Sequence, residues 1–316
     1  MQVLYRYSSL YQDVIMAQER FNIATVFDRD TILHLRLPFS FFLLPVFCFG
    51  ISQANVFDIK TIVIVFIALH FFIYPGSNIY NSYMDKDTGS IGGLEHPPPV
   101  TSKLYFASII VDLIGLALCA FAGWQHLIIM AGYIGFSKAY SWYGIRLKKY
   151  PLTGWLSVMF FQGGYTFMLG NMAAVNEVSM LWFSPKNIEC MAIASLLIGG
   201  SYPLTQIYQH QEDGERGDHT ISYKLGIKGT FIFSGLLFFA GALVTLHYFL
   251  QYYSVRHFYI FICCLSPVII YFQYWFFKSL KNESFVNYRQ AMLMNKIASL
   301  CMVVCFTIIL VLNYNS

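Results

Sequence analysis

Long apolar runs alternate with short polar connectors along almost the whole chain. The runs cover residues 31–51, 57–83, 103–122, 125–143, 153–174, 187–209, 229–251, 257–278 and 290–312. Each is close to the ~20 residues that a helix needs to cross the hydrocarbon core. Backbone polar groups find no water there, so a spanning segment must be a helix or part of a closed barrel, and unbroken apolar runs favour helices. The pattern predicts an all-α integral membrane protein with nine transmembrane helices. Residues 1–30 differ, mixing Arg6, Asp13, Glu19, Arg20 and Asp28 with apolar positions. They read as a cytoplasmic N-terminal segment, with no cleavable signal pattern, ahead of a helical domain over 31–316.

Composition agrees with the pattern. Hydrophobic residues make up 57% of the 316, charged residues 11%, and mean hydropathy is +0.55, whereas soluble domains carry about 25% charged residues. A net charge of +4 lacks the concentrated basic face that nucleic-acid binding requires. The twenty lysines and arginines are unevenly distributed. Fourteen lie in the N-terminal segment and the even-numbered connectors, three in the odd-numbered connectors, and Arg36, Lys138 and Lys296 inside apolar runs. By the positive-inside bias, the reading is a multi-pass protein of the cell or inner membrane with a cytoplasmic N-terminus and an outside C-terminus.

One polar pattern occurs twice. Asn81-Ser82-Tyr83-Met84-Asp85-Lys86-Asp87-Thr88-Gly89 follows run two, and Gln209-His210-Gln211-Glu212-Asp213-Gly214-Glu215-Arg216-Gly217 follows run six. Each is an amide, then Asp four residues on, an acid two further, and Gly two after that. The copies are 128 residues and four runs apart, which predicts two four-helix halves plus a ninth helix, with a site where the repeats meet. Residues four apart share a helix face. Asn78, Asn81 and Asp85 therefore form one polar stripe, and Thr205, Gln209 and Asp213 another. Polar groups buried without partners are costly, so both stripes should face a partner or a wet cavity. Pro75 and Pro203 precede them at similar offsets and should each kink a helix. Two such ends together offer carboxylate and amide oxygens, the donor set of a hard divalent cation shared with phosphate.

With these features the chain resembles the UbiA superfamily of intramembrane prenyltransferases. The resemblance covers most of the chain, and its specificity lies in the combination. Asn81 to Asp87 resembles the family's first motif. Asp213 with Gly217, Thr220 and Leu225-Gly226-Ile227-Lys228 resembles the second. Arg36-Leu37-Pro38-Phe39, and Tyr140-Ser141 with Arg146 and Lys148, also fit. Two positions depart from the pattern, with Gly89 and Gln209 where the family often has Asp. The resemblance implies Mg2+ as cofactor, held by Asn81, Asp85, Asp87, Gln209 and Asp213. It implies a prenyl diphosphate donor and an aromatic or other lipophilic acceptor within the bilayer. It implies catalytic roles for Asp85, Asp213, Arg146 and Lys148, and substrate contacts from Arg36, Asn78, Asn81, Lys86, Tyr140, Tyr143 and Gln209.

Other readings stand beside these. Basic residues near the motifs serve either to grip a diphosphate or only to set topology, and Arg36 either meets an acidic acceptor or snorkels to the interface. The loop Ser90-Ile91-Gly92-Gly93-Leu94-Glu95-His96-Pro97-Pro98-Pro99 is either a cap over the site or a connector. Asp112 lies near mid-helix without an evident partner. The rival functions are a repeat-built transporter and a UbiA-fold protein with cyclase-like or lost activity.

Overall fold

The computed structural model describes residues 26–175 and 183–314. Most of the cytoplasmic lead-in expected over 1–30 therefore lies outside the described residues. Ten helices can be followed in chain order: α1 Arg29–Ser52, α2 Ile59–Asp85, α3 Lys103–Ala122, α4 Trp124–Ser141, α5 over 151–175, α6 Pro185–Gln206, α7 His210–Arg216, α8 Ile221–Tyr252, α9 Val255–Lys281 and α10 Tyr288–Tyr314. Among the described residues there is no strand, only one isolated bridge between Ile91 and Leu94. Seven helices (α1, α2, α3, α6, α8, α9 and α10) are long and apolar enough to cross a membrane. Large side chains such as Leu113, Phe121, Leu236, Phe239, Ile270 and Leu300 project outward. So broad an apolar exterior is that of a protein solvated by lipid.

The connectors explain how neighbouring helices pack. Gly123 alone joins α3 to α4, at φ 133°, a conformation that glycine adopts without strain. Asp58 caps α2 by accepting from the Thr61 amide at 3.1 Å, and Thr220 caps α8 by accepting from the Tyr223 amide at 3.2 Å. Both bonds satisfy donors that a helix start leaves free. One core gathers Phe49, Phe167, Tyr248 and Phe306. A second gathers Phe47, Leu69, Tyr74 and Tyr133.

The two prolines act differently. Just before Pro75, α2 widens into a π-helical turn over Ala68–Ile73. Proline has no N–H and crowds the carbonyl four residues back, and an extra residue in the turn relieves both problems. Pro203 lies inside α6, which ends three residues later at Gln206. The Gly199 carbonyl that residue 203 would otherwise bond accepts the Trp155 indole N–H at 2.8 Å. Because α6 stops there, the stripe Thr205–Gln209–Asp213 is not one helical face. Gln209 instead precedes a separate short helix, α7, whose Asp213 amide donates to the Gln209 carbonyl at 2.9 Å.

α1 is also broken. Arg36 takes a left-handed conformation at φ 50°, and a new helical turn starts at Leu37-Pro38. Among the described residues, only Arg36, Lys86 and Arg146 adopt positive φ without being glycine. Each such residue carries a conformational cost of about 1–3 kcal/mol that surrounding contacts must offset. All three are basic: Lys86 lies in the first motif, Arg36 donates to the Asn78 carbonyl ahead of it, and Arg146 grips Asp218 just after the second.

Candidate active site

α1, α2, α4, α5, α6 and α10 surround a cavity of about 330 Å³. Its body is apolar, with Phe49, Phe161, Leu197, Ile198, Met302 and Phe306 on the walls. Its polar end carries Asp85, Asp87, Asp213 and Asp218 together with Lys148 and Arg216. Both copies of the repeated pattern thus reach one mouth. Of the residues singled out in the sequence, Arg36, Asn78, Asn81, Asp85, Asp87, Tyr140, Lys148, Gln209 and Asp213 line the cavity.

The acids and bases are cross-paired between distant segments. Lys148, from the 3-10 turn after α4, forms an ion pair with the Asp85 carboxylate at the end of α2. Arg146 donates to both oxygens of Asp218 at 3.0 and 2.8 Å, and stands 3.6 Å from Asp85. Arg216 on α7 pairs with Asp87 and lies 3.4 Å from Asp213. Four carboxylates thus face three cations, all largely removed from solvent. Thr220 donates to Asp213 at 3.2 Å. Burial nevertheless pushes the Asp213 carboxyl up to about 7, and the charges of Asp218 and Asp85 push the same way. Burial also works against the charged form of Asp218. There the Arg146 hydrogen bond, with the positive charges of Lys148, Arg146 and Arg216, holds the carboxyl below its usual range.

Other side chains are oriented by local bonds. The Arg36 guanidinium is buried and donates to the Gly92 and Asn78 carbonyls at 3.1 and 2.5 Å. Asn81 donates to the Ser141 hydroxyl at 2.9 Å. Asn78 donates to the Leu35 carbonyl at 3.3 Å and to the Ser40 hydroxyl at 3.2 Å. The Tyr140 and Tyr202 hydroxyls are hydrogen-bonded to each other between α4 and α6, and Gln206 donates to Tyr202 at 2.8 Å. Tyr143 lies off the cavity wall, donating to the Met84 carbonyl with the Arg146 guanidinium 4.7 Å above its ring. Arg146 also stands one contact behind the wall. Lys86 is exposed at the C-terminal cap of α2.

Asp218 gains a prominence that sequence spacing alone did not assign. Its signal was Gly217, which ends α7 at φ 71° and turns the chain back so that the Asp218 amide bonds the Asp213 carbonyl at 2.9 Å. The loop after the first motif does reach the site. Ile91 and Gly92 line the cavity, Gly92 packs on Phe39, and His34 binds the Pro98 carbonyl at 2.9 Å. Asp112 has its partner in Lys138, at 2.7 Å, and that ammonium also lies 4.1 Å from the Tyr80 ring centroid.

The donor set suits a hard divalent cation. Its members are carboxylate and amide oxygens at the polar end of a cavity. Among the described residues, no three His, Cys, Asp or Glu side chains already stand within ligating range of one point. In this arrangement Lys148 occupies Asp85 and Arg216 occupies Asp87.

A polytopic helical membrane protein with two acidic motifs at the mouth of one apolar cavity is the class defined so far. The model of the UbiA prenyltransferase family matches residues 41–297, and the chain belongs to that family. Solved structures share the fold. A UbiA homologue from Archaeoglobus fulgidus bound to GPP and Mg2+ superposes with a TM-score of 0.65 at 17% identity, covering 89% of this chain and 99% of that one. A UbiA homologue from Aeropyrum pernix K1 gives 0.61 at 16% identity, over 85% and 98%. A digeranylgeranylglyceryl phosphate synthase gives 0.56 at 18% identity, over 91% and 99%. A sequence search among curated proteins finds no match.

Proposed function

We propose that this protein transfers an isoprenyl group from a prenyl diphosphate to a lipophilic or aromatic acceptor inside the membrane. The observation that carries the reading is the meeting of both acidic motifs at the polar mouth of a single apolar cavity. The likeness to a homologue bound to GPP and Mg2+ supports it. In this reading nine helices span the bilayer as two four-helix halves plus α10. The N-terminus and both motifs face the cytoplasm, and the C-terminus lies outside. The charge bias between alternate connectors supports that orientation.

The roles follow from the chemistry of the side chains. Asp85, Asp87 and Asp213, with the amide oxygens of Asn81 and Gln209, would hold Mg2+. The bound ion would supply Lewis-acid neutralisation of the charge that builds on the leaving diphosphate. Lys148, Arg216 and Arg36 offer donors to diphosphate oxygens, and Asn78 orients Arg36 through its carbonyl. Arg146 keeps Asp218 ionised and braces the Asp85 side. Tyr140, on the cavity wall, would offer its ring to the positive charge that develops on the allylic carbon, a favourable cation–π interaction. The walls of Phe49, Phe161 and Phe306 exclude water from the tail. The acceptor forms the new carbon bond and releases a proton as the allylic C–O bond breaks.

Replacing Asp85 or Asp213 by Ala should reduce Mg2+-dependent prenyl transfer in membranes by at least about a hundredfold, the scale on which losing a transition-state electrostatic partner acts. Unchanged turnover in either variant would overturn the metal role.

A further inference from the structure

α7 lies against the chain that follows the first motif, and four consecutive residues of that chain are tied to it. Arg216 pairs with Asp87. Glu212 Oε1 accepts from the Thr88 hydroxyl at 3.4 Å and from the Gly89 amide at 2.7 Å. Gln209, at the N-terminal cap of α7, donates to the Ser90 carbonyl at 3.0 Å. The partners are more than a hundred residues apart in sequence, and residues 87–90 have no helix or strand of their own.

Gly89 shows what this contact demands. Its φ is not among the positive values, so backbone freedom does not require glycine there. A Cβ on residue 89 would stand 2.6 Å from Glu212 Oε1, the movable end of that side chain, so the carboxylate would have to swing aside and leave the Gly89 amide. The Glu212 carboxylate thus fills the volume that a side chain at 89 would take, and it binds the backbone instead. Glu212 does not line the cavity, whereas Asp87 and Gln209 do.

We propose that Glu212 and Gln209 form a positioning clasp that holds residues 87–90 against α7, so that Asp87 and Asp85 stay opposite Asp213 at the cavity mouth. The kinetic part of this proposal rests on the transferase reading. The clasp itself rests on the hydrogen bonds.

Hydrogen exchange in residues 86–94 and steady-state kinetics, both on the full-length protein in detergent, test it together. A hydrogen bond to a charged group is worth about 1.5–3 kcal/mol. Glu212→Ala should therefore speed exchange at Gly89 by at least about tenfold. It should raise the KM for prenyl diphosphate by a similar factor and leave the acceptor KM in place. Glu212→Gln retains an oxygen for the Gly89 amide but not the charge, and should fall between wild type and Glu212→Ala in every readout. Gly89→Ala should lose activity in the wild-type background, yet add little to Glu212→Ala, because its clashing partner is gone. Unchanged exchange in Glu212→Ala overturns the clasp. So does a Glu212→Gln variant as defective as Glu212→Ala, because charge rather than position would then be the requirement. If exchange rises as expected while the wild-type protein transfers no prenyl group, the clasp stands and the transferase reading falls.

Discussion

Asp213 has the pKa most relevant to the chemistry. Its carboxyl is pushed up to about 7 by burial and by neighbouring acids, so in the ligand-free site a proton occupies it for part of the time at neutral pH. A cation must displace that proton. As pH falls through 7 the protonated form dominates and competes, so cation binding weakens on the acid side and strengthens on the alkaline side. Mn2+ binding measured calorimetrically should lose about tenfold in affinity per pH unit below 7, the slope for one displaced proton. Asp213→Asn should bind more weakly at and above pH 7 and lose that slope, so that the two proteins converge on the acid side, where Asp213 is protonated. A second residue-scale outcome concerns Arg146, whose planar fork grips Asp218 with two bonds. Arg146→Lys keeps the charge and loses the bidentate geometry, so turnover should fall by about tenfold or more. Arg146→Ala strands a buried carboxylate and should be worse still.

At the scale of the element, close approach between helices dominates. A Cβ on Gly50 of α1 would stand 2.3 Å from the Phe167 carbonyl oxygen, and one on Gly170 of α5 would stand 2.4 Å from the Phe47 carbonyl oxygen. The two backbones are in contact, as small residues permit in membrane helices. Gly50→Ala or Gly170→Ala must push α1 from α5. Each should destabilise the protein by about 1–3 kcal/mol or more, the cost of overpacking, visible as earlier thermal unfolding in detergent. The same scale separates what sequence could and could not disclose. Eight of the nine predicted runs begin within about three residues of the observed helices, because apolar length is a direct record of helix placement. The exception is α8, which starts at Ile221 rather than near 229 because a short turn precedes the bend at Gly226, φ 66°. α7 was not separated from α6 because helix spacing continues across the break at 207–209. Pro203 was the available signal. It marked a kink, but not that the helix would end.

The molecule as a whole presents one cavity to both motifs, and its apolar floor is closed by side chains from opposite ends of the chain. Phe49 of α1 and Phe306 of α10 stack with ring centroids 4.4 Å apart at 18°, and both line the cavity. Removing the Phe306 ring should deepen it. Phe306→Ala is expected to shift donor preference toward longer isoprenyl chains in a competition assay with C10 to C20 diphosphates. An unchanged preference would place the tail elsewhere. Topology belongs to this scale too. Cysteine labelling from each side of a sealed vesicle should find the 86–99 connector on the cytoplasmic face and the C-terminus on the other.

By itself the sequence determined the membrane class, the approximate positions of the long helices and the two acidic motifs, since each is written in hydropathy or in residue type over a few neighbouring positions. It marked Asp85, Asp87 and Asp213 and the basic residues around them. Only the tertiary structure decided which base meets which acid: Lys148 with Asp85, Arg216 with Asp87, Arg146 with Asp218. It also gave Asp112 its partner and brought Glu212 into the space above Gly89. Such pairings depend on packing between segments tens to more than a hundred residues apart or on rotations about helix axes. No local pattern of residues records either, because many arrangements of the same helices would satisfy the same hydrophobic spacing.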